Sequence, residues 1–288
     1  LCEPTLNMAD LPHAFFLPTR NGSLFCLYHA PQGPVQRGQV LHLHPFAEEL
    51  NTCRRISAQF ARALAEAGFA VLQFDMYGCG DSEGDFGDAT WATWRNNAQD
   101  ALAELHRRAG EPTEAAPLWL WGVRSGALMS ADMLPNMDAP CHVLWWQPVV
   151  SGQQVLQQWL RLDAAKEWLS KDKERIEATP SLSEQLKHGQ DVHVGGYRIS
   201  PELARELNML QLTPPRPHTN QHGKLVSMDI SASPSTPPPG ITRQTQVWQA
   251  QGWQPHLQSV TCGAFWYSVS TERKRCASPS ACAVMRAR

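Results

Sequence analysis

The stretch LWLWGVRSGAL, residues 118–128, decides the fold of this chain. Its first five residues are apolar or glycine, a composition that is typical of a buried β-strand. Gly122 and Gly126 enclose three residues and predict a sharp turn, and the small residues after them predict a helix. Arg124 stands at the centre of this turn, and Ser125 comes one position later. The chemistry of the chain therefore depends on which side chain the turn presents.

Strands and amphipathic helices alternate on both sides of this turn. Apolar runs predict further strands over residues 23–31, 38–46, 69–75, 142–150 and 224–231, and a last strand and turn over 256–266. Apolar residues at helical spacing predict helices over residues 53–68, 89–108, 200–210 and 241–252. This alternation predicts an α/β fold, with βαβ units around a mostly parallel sheet flanked by helices.

The pattern divides the chain into four segments. Residues 1–150 and 213–266 supply the strands and form the predicted core. Between them, residues 151–212 are helical and charged, which predicts a helical cap inserted over the carboxyl ends of the strands. A helical side domain without a role in catalysis would show the same pattern. Residues 267–288 are basic and lack periodicity, and we expect a disordered tail there.

Composition narrows the classes of partner. The chain has 288 residues, a formal net charge of -2, 42% hydrophobic residues and 18% charged residues, as in an ordinary globular protein. This charge gives no electrostatic reason to expect nucleic acid or an anionic membrane as the main partner. A small-molecule substrate, an anionic ligand or a protein partner remains. No apolar run approaches the roughly 20 residues that span a bilayer, and we expect a cytoplasmic protein.

The eight cysteines are scattered along the chain, without a C-x-x-C pair or a His/Cys cluster at metal-ligand spacing. This arrangement argues against a zinc site and favours a reducing compartment. We therefore expect neither a bound metal nor another cofactor.

Four motifs carry a resemblance to a known family. They are HLHPFAEELNTCRR at 42–55, FDMYGCGDSEGDFGDATWATW at 74–94, WLWGVRSGAL at 119–128 and GAFW at 263–266. Together with the order of strands and helices, they resemble the α/β-hydrolase superfamily. More narrowly, they resemble the second of two hydrolase families associated with bacterial exosortase A systems. The resemblance spans roughly residues 12–266 and implies an α/β-hydrolase fold with a helical cap and an accessory role near exopolysaccharide production and protein sorting.

The resemblance implies a nucleophile elbow at the turn of residues 122–126. In such an elbow, G-x-S-x-G, a strained turn lifts the central serine above the sheet. Arg124 occupies that central position here, and a guanidinium stays protonated and cannot attack a carbonyl. It can hold a carboxylate or a phosphate. Ser125 is either a displaced nucleophile or a small packing residue at the start of the helix.

The other two members of a catalytic triad are also altered. The resemblance implies a general base, a histidine, in the turn that follows the last strand, but this turn carries Ala264 instead. His256, eight residues earlier, is the remaining candidate base, unless it is a surface histidine at the start of the strand. Asp229 is the candidate acid, although it lies within the predicted strand rather than clearly in the loop after it.

The resemblance implies an oxyanion loop at the end of the strand of residues 38–46. It begins at His44, and the backbone N–H groups of Phe46 or Ala47 face the same cavity as the amide of Ser125 in such a loop. Glu48 and Glu49 follow. They are able to pair with Arg124, to move a proton if desolvated, or only to place favourable charge at a helix N-terminus. An Arg124–Glu48 ion pair would either bind an anionic or zwitterionic ligand or lock the pocket shut.

Two hypotheses follow from these residues. In the first, the chain is a hydrolase or acyl transferase that uses Ser125 with His256 and Asp229 or a glutamate of the oxyanion loop. In the second, it is a binding or scaffold protein in which Arg124 anchors an anionic ligand and no covalent step occurs. The fold and its resemblance favour the first hypothesis, whereas the chemistry of Arg124 and Ala264 favours the second.

Overall fold

The computed structural model describes residues 11–137, 141–169, 180–214, 223–232 and 236–266, the side chains of residues 162–169 excepted. The strands in this part of the chain are β1 His13–Thr19, β2 Gly22–His29, β3 Gly38–Leu43, β4 Phe69–Phe74, β5 Leu118–Val123, β6 Cys141–Trp146, β7 Val192–Val194, β8 Tyr197–Ile199, β9 Lys224–Ser231 and β10 Gln254–Thr261. The α-helices are α1 Ala47–Glu66, α2 Trp91–Ala109, α3 Gly126–Met133, α4 Gly152–Leu169, α5 Leu182–Lys187, α6 Pro201–Met209 and α7 Pro239–Ala250.

Eight of these strands form one sheet in the order β1-β2-β4-β3-β5-β6-β9-β10. The β1–β2 and β2–β4 pairs are antiparallel, and the other pairs are parallel. This arrangement confirms the predicted mostly parallel sheet. The chain leaves β3 toward β4 on one side, whereas β5 lies on the other side of β3. Such a switch point opens a crevice at the carboxyl ends of the strands, where ligands of open α/β sheets bind.

Helices cover both faces of the central strands, and every residue of β3 and of β5 is buried. On one face, Phe60 of α1 packs against Trp121 and Trp146, with ring centroids 4.8 Å and 4.7 Å apart. On the other face, Trp94 and Trp145 join the core formed with α2 and α3. Coverage on both faces explains why these strands are almost continuously apolar in sequence.

The segment between β6 and β9 holds α4, α5, the β7–β8 hairpin and α6. The hairpin contacts the glycine-rich loop after β4 through Arg198. The Arg198 guanidinium donates to Asp191 at 3.0 Å, to Asp85 at 3.3 Å and to Asp88. These ion pairs fasten the inserted segment to the rim of the sheet.

Four details differ from the sequence-based expectations. The N-terminal strand β1 was not predicted. The helix expected over residues 53–68 begins six residues earlier, at Ala47. The strand expected over residues 142–150 ends at Trp146, because Gln147 has a positive φ of 43° and a proline follows it. Cys262 is disulfide-bonded, against the expectation of reduced cysteines. The expected tail of residues 267–288 lies outside the described residues.

Candidate functional site

The turn after β5 keeps the backbone of a nucleophile elbow but presents an arginine. Arg124 has a φ of 53°, a left-handed conformation that is rare for a residue with a side chain. A Cβ on Gly126 would lie 1.9 Å from the Leu43 carbonyl oxygen, and one on Gly122 would lie 2.6 Å from the Ala127 nitrogen. Both glycines are therefore required by close backbone packing. The strained apex that holds a serine in an active elbow holds Arg124 here.

The Arg124 side chain is buried and bound to Glu49. Its Nε donates to both Glu49 carboxylate oxygens, at 3.1 Å and 3.3 Å, and its Nη2 donates to Glu49 Oε1 at 3.1 Å. Nη2 also reaches Gln158 Oε1 in α4 at 3.2 Å, and Nη1 reaches the Gln147 carbonyl oxygen at 3.4 Å. Burial raises the pKa of Glu49, and the neighbouring Arg124 opposes that rise. The pair thus links the elbow to the oxyanion loop and to α4.

The partner of Arg124 is Glu49, which corrects the expected Arg124–Glu48 pair by one position. Glu48 is exposed and accepts a hydrogen bond from Asn51 Nδ2 at 3.4 Å. Because α1 already begins at Ala47, successive side chains are rotated by about 100° around the helix axis. Glu48 therefore points to solvent, and Glu49 points toward the turn.

Ser125 lies at the start of α3 and is only 3% exposed. It lines a narrow gap shared with His44, Phe46 and Met129, and this gap has no room for a water molecule. Within the described ranges, the Ser125 hydroxyl makes no hydrogen bond. A serine nucleophile needs a base within hydrogen-bond reach. The geometry therefore gives Ser125 the surroundings of a packing residue.

His44 is the imidazole nearest to Ser125 along this gap, but its two ring nitrogens already have partners. Nδ1 is 2.6 Å from the Pro45 carbonyl oxygen, and Nε2 accepts the Met76 backbone N–H at 3.3 Å. Burial lowers the pKa of His44. Together these bonds fix a neutral tautomer with its proton on Nδ1, and they leave no lone pair for the Ser125 proton.

The oxyanion loop keeps its strained backbone. Ala47 has a φ of 54°, so the chain turns sharply from β3 into α1. The Phe46 ring stacks on Trp94 at 5.2 Å and packs against Trp159 of α4 at 5.5 Å. These rings fill the space that a substrate would enter between the elbow and the inserted segment.

Asp229 belongs to the polar network of the elbow, and Gln147 bonds to both Asp229 and Arg124. Gln147 Nε2 donates to Asp229 Oδ1 at 3.2 Å, and Gln147 Oε1 accepts the Ile230 N–H at 2.6 Å. Asp229 is buried in β9, beyond the register pair Trp146–Met228. The carboxylate therefore lies near the end of the sheet that carries the elbow, and it lies within the strand rather than in the loop after it.

His256 lies away from this network. It is exposed on β10, the edge strand, and pairs in register with Val226, three residues before the level of Asp229. Three strand spacings separate β10 from β5, which is about 14 Å. The structure therefore brings together Arg124, Glu49 and Asp229, and it places Ser125 with His44 and Phe46, but it does not bring His256 to either group.

The turn after β10 does reach the elbow, through a tryptophan. Ala264 stands where the resemblance implies a histidine, and the Trp266 ring centroid lies 5.2 Å from the Arg124 guanidinium carbon. The Trp266 carbonyl oxygen also accepts from Thr52 Oγ1 of α1 at 2.9 Å. The Trp266 ring therefore covers one side of the Arg124 cation.

Sequence reasoning missed three members of this network: Gln147, Gln158 and Trp266. Gln147 had a signal, because it follows a buried strand at the carboxyl edge of the sheet, where loops carry binding and catalytic residues. Gln158 had none, since it is one of several glutamines in α4.

Among the described residues, no cluster of three or more His, Cys, Asp or Glu side chains is arranged to bind a metal. The described helices include none that is both long and apolar enough to cross a bilayer.

Comparison with solved structures finds the same fold in several hydrolases. Est1E from Butyrivibrio proteoclasticus with ferulic acid bound superposes with a TM-score of 0.56 and 14% identity, covering 86% of this chain and 89% of that one. An esterase from Pyrococcus furiosus gives 0.52 and 14%, covering 91% and 86%. A monoglyceride lipase variant from Saccharomyces cerevisiae gives 0.53 and 12%, covering 90% of each chain. At these identities the likeness shows the α/β-hydrolase fold.

A search of curated protein sequences finds no match. A family model described as serine aminopeptidase, S33, matches residues 34–208, which is more than half of the chain. The matched region includes the oxyanion loop, the elbow and most of the inserted segment. The chain belongs to the serine aminopeptidase S33 family and has the α/β-hydrolase fold.

Proposed function

We propose that this chain is a binding or scaffold protein that retains the α/β-hydrolase fold without its serine mechanism. The observation that carries the proposal is Arg124 at the strained apex of the elbow, buried and paired with Glu49. A guanidinium is a donor with no lone pair to offer a carbonyl carbon. The position that defines the chemistry of an elbow therefore has no nucleophile.

The surroundings of Ser125 support the same proposal. Its hydroxyl faces a gap that cannot hold water, and the neighbouring His44 uses both ring nitrogens in bonds to the backbone. Ala264 removes the imidazole that the superfamily places after the last strand. Loss of the nucleophile or of the histidine base alone removes orders of magnitude of rate in a triad enzyme.

Arg124 closes the elbow in this proposal rather than anchoring a ligand there. Its Nε, Nη1 and Nη2 all donate to protein acceptors, and it is only 6% exposed. A ligand carboxylate would have to displace Glu49 and leave that carboxylate buried without a cation. Of the two outcomes expected for an ion pair at this site, locking the pocket has the better support.

The cellular setting is also proposed. We place the chain in the cytoplasm, as an accessory of an exosortase and exopolysaccharide system with a protein partner from that system. The support is the resemblance of the four motifs at 42–55, 74–94, 119–128 and 263–266 to a family associated with exosortase A.

A serine-type hydrolase or acyl transferase is the second candidate. Family membership supports it, and so do two potential oxyanion donors. Within the described ranges, the backbone N–H groups of Phe46 and Ser125 donate to no carbonyl or side chain. This candidate requires Ser125 to turn out of its gap and to gain a base, which His256 would have to supply by crossing from the edge strand.

Hydrolysis assays separate the two candidates. The purified chain and a Ser125→Ala variant are incubated with p-nitrophenyl butyrate, a butyryl thioester and leucine p-nitroanilide, after circular dichroism has shown both to be folded. We expect both proteins to give the background rate with all three substrates. A rate above background that Ser125→Ala abolishes would support the hydrolase and refute the binding protein.

A further inference from the structure

A second cavity lies on the α1 side of the sheet, apart from the elbow. It has a volume of ≈ 420 Å³ and lies between α1 and strands β2, β3 and β4. This volume falls within the range of small-molecule sites, roughly 300–1,000 Å³. Neither Arg124 nor Ser125 lines it, so its occupancy does not depend on the chemistry of the elbow.

The floor of the cavity is apolar. Phe25 and Leu27 project from β2, Phe74 from β4 and Leu50 from α1. Phe25 and Leu27 are only half-buried, so the protein leaves part of this surface uncovered. An aliphatic chain or an aromatic ring that lies on this floor would bury it from water, at roughly 25 cal/mol per Å².

The charged side chains at the cavity leave one positive charge in excess. Arg54 donates to Asp75 at 2.8 Å and is neutralised by it. Arg55, the next residue of α1, is exposed and makes no ion pair or hydrogen bond with the described residues. Burial lowers the pKa of His42 and of His44, so both imidazoles are neutral. A ligand with one negative charge would balance the lining.

Two buried polar side chains of the wall lack a partner in the described structure. His42 is 4% exposed, and its Nε2 has no hydrogen bond. Ser57, which lies one turn after Arg54 on α1, is 2% exposed, and its Oγ has none. A buried polar atom without a hydrogen bond is destabilising, and ordered water or a ligand usually satisfies it. The wall therefore offers hydrogen bonds as well as charge.

We infer that this cavity binds a small amphipathic monocarboxylate, with its apolar chain or ring on Phe25, Leu27 and Phe74. Its carboxylate pairs with Arg55 and reaches toward the Ser57 hydroxyl. A single negative charge matches the single uncompensated cation, whereas a dianion would leave a surplus charge beside Asp75. The site goes beyond the closed elbow, because it gives the chain a ligand that needs no covalent step.

Isothermal titration calorimetry tests the inference with octanoate and 3-phenylpropionate, each beside its neutral primary amide. We expect saturable binding of at least one acid by the wild-type chain in the micromolar to low millimolar range, about 4–8 kcal/mol, and at least tenfold weaker binding of its amide. Equal binding of acid and amide, or no saturable binding of either acid at about 10 mM, would overturn it.

Variants of residues that line the cavity test whether the acid binds there. Arg55→Gln removes the uncompensated cation from an exposed position, and we expect at least fivefold weaker binding of the acid, because its carboxylate loses the cation that it pairs with. Arg62→Gln, on the same helix but outside the cavity, is the matched control and should bind as the wild type does. Ala58→Trp fills the cavity and should abolish binding, and Ala58→Leu tests the same point with a smaller change. Unchanged binding in Arg55→Gln or in a folded Ala58 variant would refute this site.

Discussion

The Arg124 guanidinium carries its charge where water is almost excluded, so its acceptors determine whether the elbow is stable. Glu49 accepts three hydrogen bonds from it, and Gln158 and the Gln147 carbonyl oxygen accept one each. Trp266 covers the remaining face. A buried cation whose partner is removed costs more than the pair contributes, because the charge stays behind without compensation.

Replacing Glu49 should therefore destabilise the protein, and replacing Glu48 should not. We expect Glu49→Gln to lower the free energy of unfolding by about 1–3 kcal/mol, which is less than the roughly 3–5 kcal/mol that breaking a fully buried pair costs. The cost is reduced because 24% of the Glu49 side chain is exposed. Glu48→Gln is the control, with an expected change within about 0.5 kcal/mol. Urea unfolding measures both, and equal effects would show that Glu49 is not the partner.

The sequence indicates some site residues better than others. The glycine spacing at 122–126 places Arg124 at the apex, and Ala264 follows from the position of the last turn. The choice between Glu48 and Glu49 depends on where α1 begins, and a shift of one residue rotates a side chain by about 100°. No local pattern indicates that Gln158 of α4 meets Arg124, because this contact joins residues 34 positions apart.

At the scale of elements, the elbow depends on backbone contacts between α3 and the end of β3. Gly126→Ala would place a Cβ 1.9 Å from the Leu43 carbonyl oxygen, where neither backbone can move without displacing a buried strand. We expect a loss of about 3 kcal/mol or more in the free energy of unfolding. In the matched variant Gly263→Ala, the new Cβ meets nothing within 4 Å, and its cost should be below about 0.5 kcal/mol. A Gly126→Ala protein as stable as the wild type would contradict this packing.

Ion pairs of Arg198 hold the segment between β6 and β9 against the loop after β4. Arg198 of β8 donates hydrogen bonds to Asp85 and Asp88, which lie in the glycine-rich loop after β4. We expect Arg198→Gln to speed amide hydrogen exchange in residues 192–199 without changing exchange in β5, because local opening of the hairpin becomes easier. Arg205→Gln is the control, since the ion pair that the described residues give Arg205 lies within α6, with Glu202 at 3.9 Å. Equal exchange in the wild type and Arg198→Gln would show that these ion pairs do not hold the segment.

Buried parallel strands are the elements that the sequence predicts best. β3, β4, β5 and β9 each come from a compact apolar run, because both faces of such a strand are covered. β1 was missed, since it is an edge strand with a proline, and its side chains alternate between exposed and half-buried. The β7–β8 hairpin has three residues in each strand, too few for a periodic signal.

At the scale of the whole molecule, buried neutral histidines should make the fold sensitive to acid. Burial lowers the pKa of His142 from 6.5 to about 4, with the Lys224 charge adding to the effect. The unfolded chain binds this proton more readily, so the contribution of His142 to stability is present above about pH 6.5 and is lost as the pH falls to about 4. We expect the free energy of unfolding to decrease across this window by about 3 kcal/mol from His142 alone.

Urea unfolding at several pH values between 7 and 4 measures this loss. The raised pKa of Glu49 acts in the opposite direction, since its contribution is present below about pH 4.5 and is lost as the pH rises. His142→Asn isolates the histidine, because an amide oxygen can still accept the Lys224 backbone N–H that His142 Nδ1 accepts at 3.0 Å. The variant should show a flatter pH dependence, and the same slope in both proteins would contradict the prediction.

The molecule as a whole has the fold of a hydrolase, but side chains fill the space around its elbow. The sheet, the two strained turns at Ala47 and Arg124 and the inserted segment are all in place. The space between them is filled by an arginine, its glutamate and a group of aromatic rings. Membership of this family therefore does not establish that the chain performs the reaction common to its fold.

Active-site labelling tests this claim most directly. The purified, folded chain is treated with a fluorophosphonate probe, digested and examined by peptide mass spectrometry, beside a Ser125→Ala variant and an active serine hydrolase as positive control. We expect the probe to label the control hydrolase and neither form of this chain. Labelling of the wild type at Ser125, absent from Ser125→Ala, would show an activated hydroxyl and contradict the closed elbow.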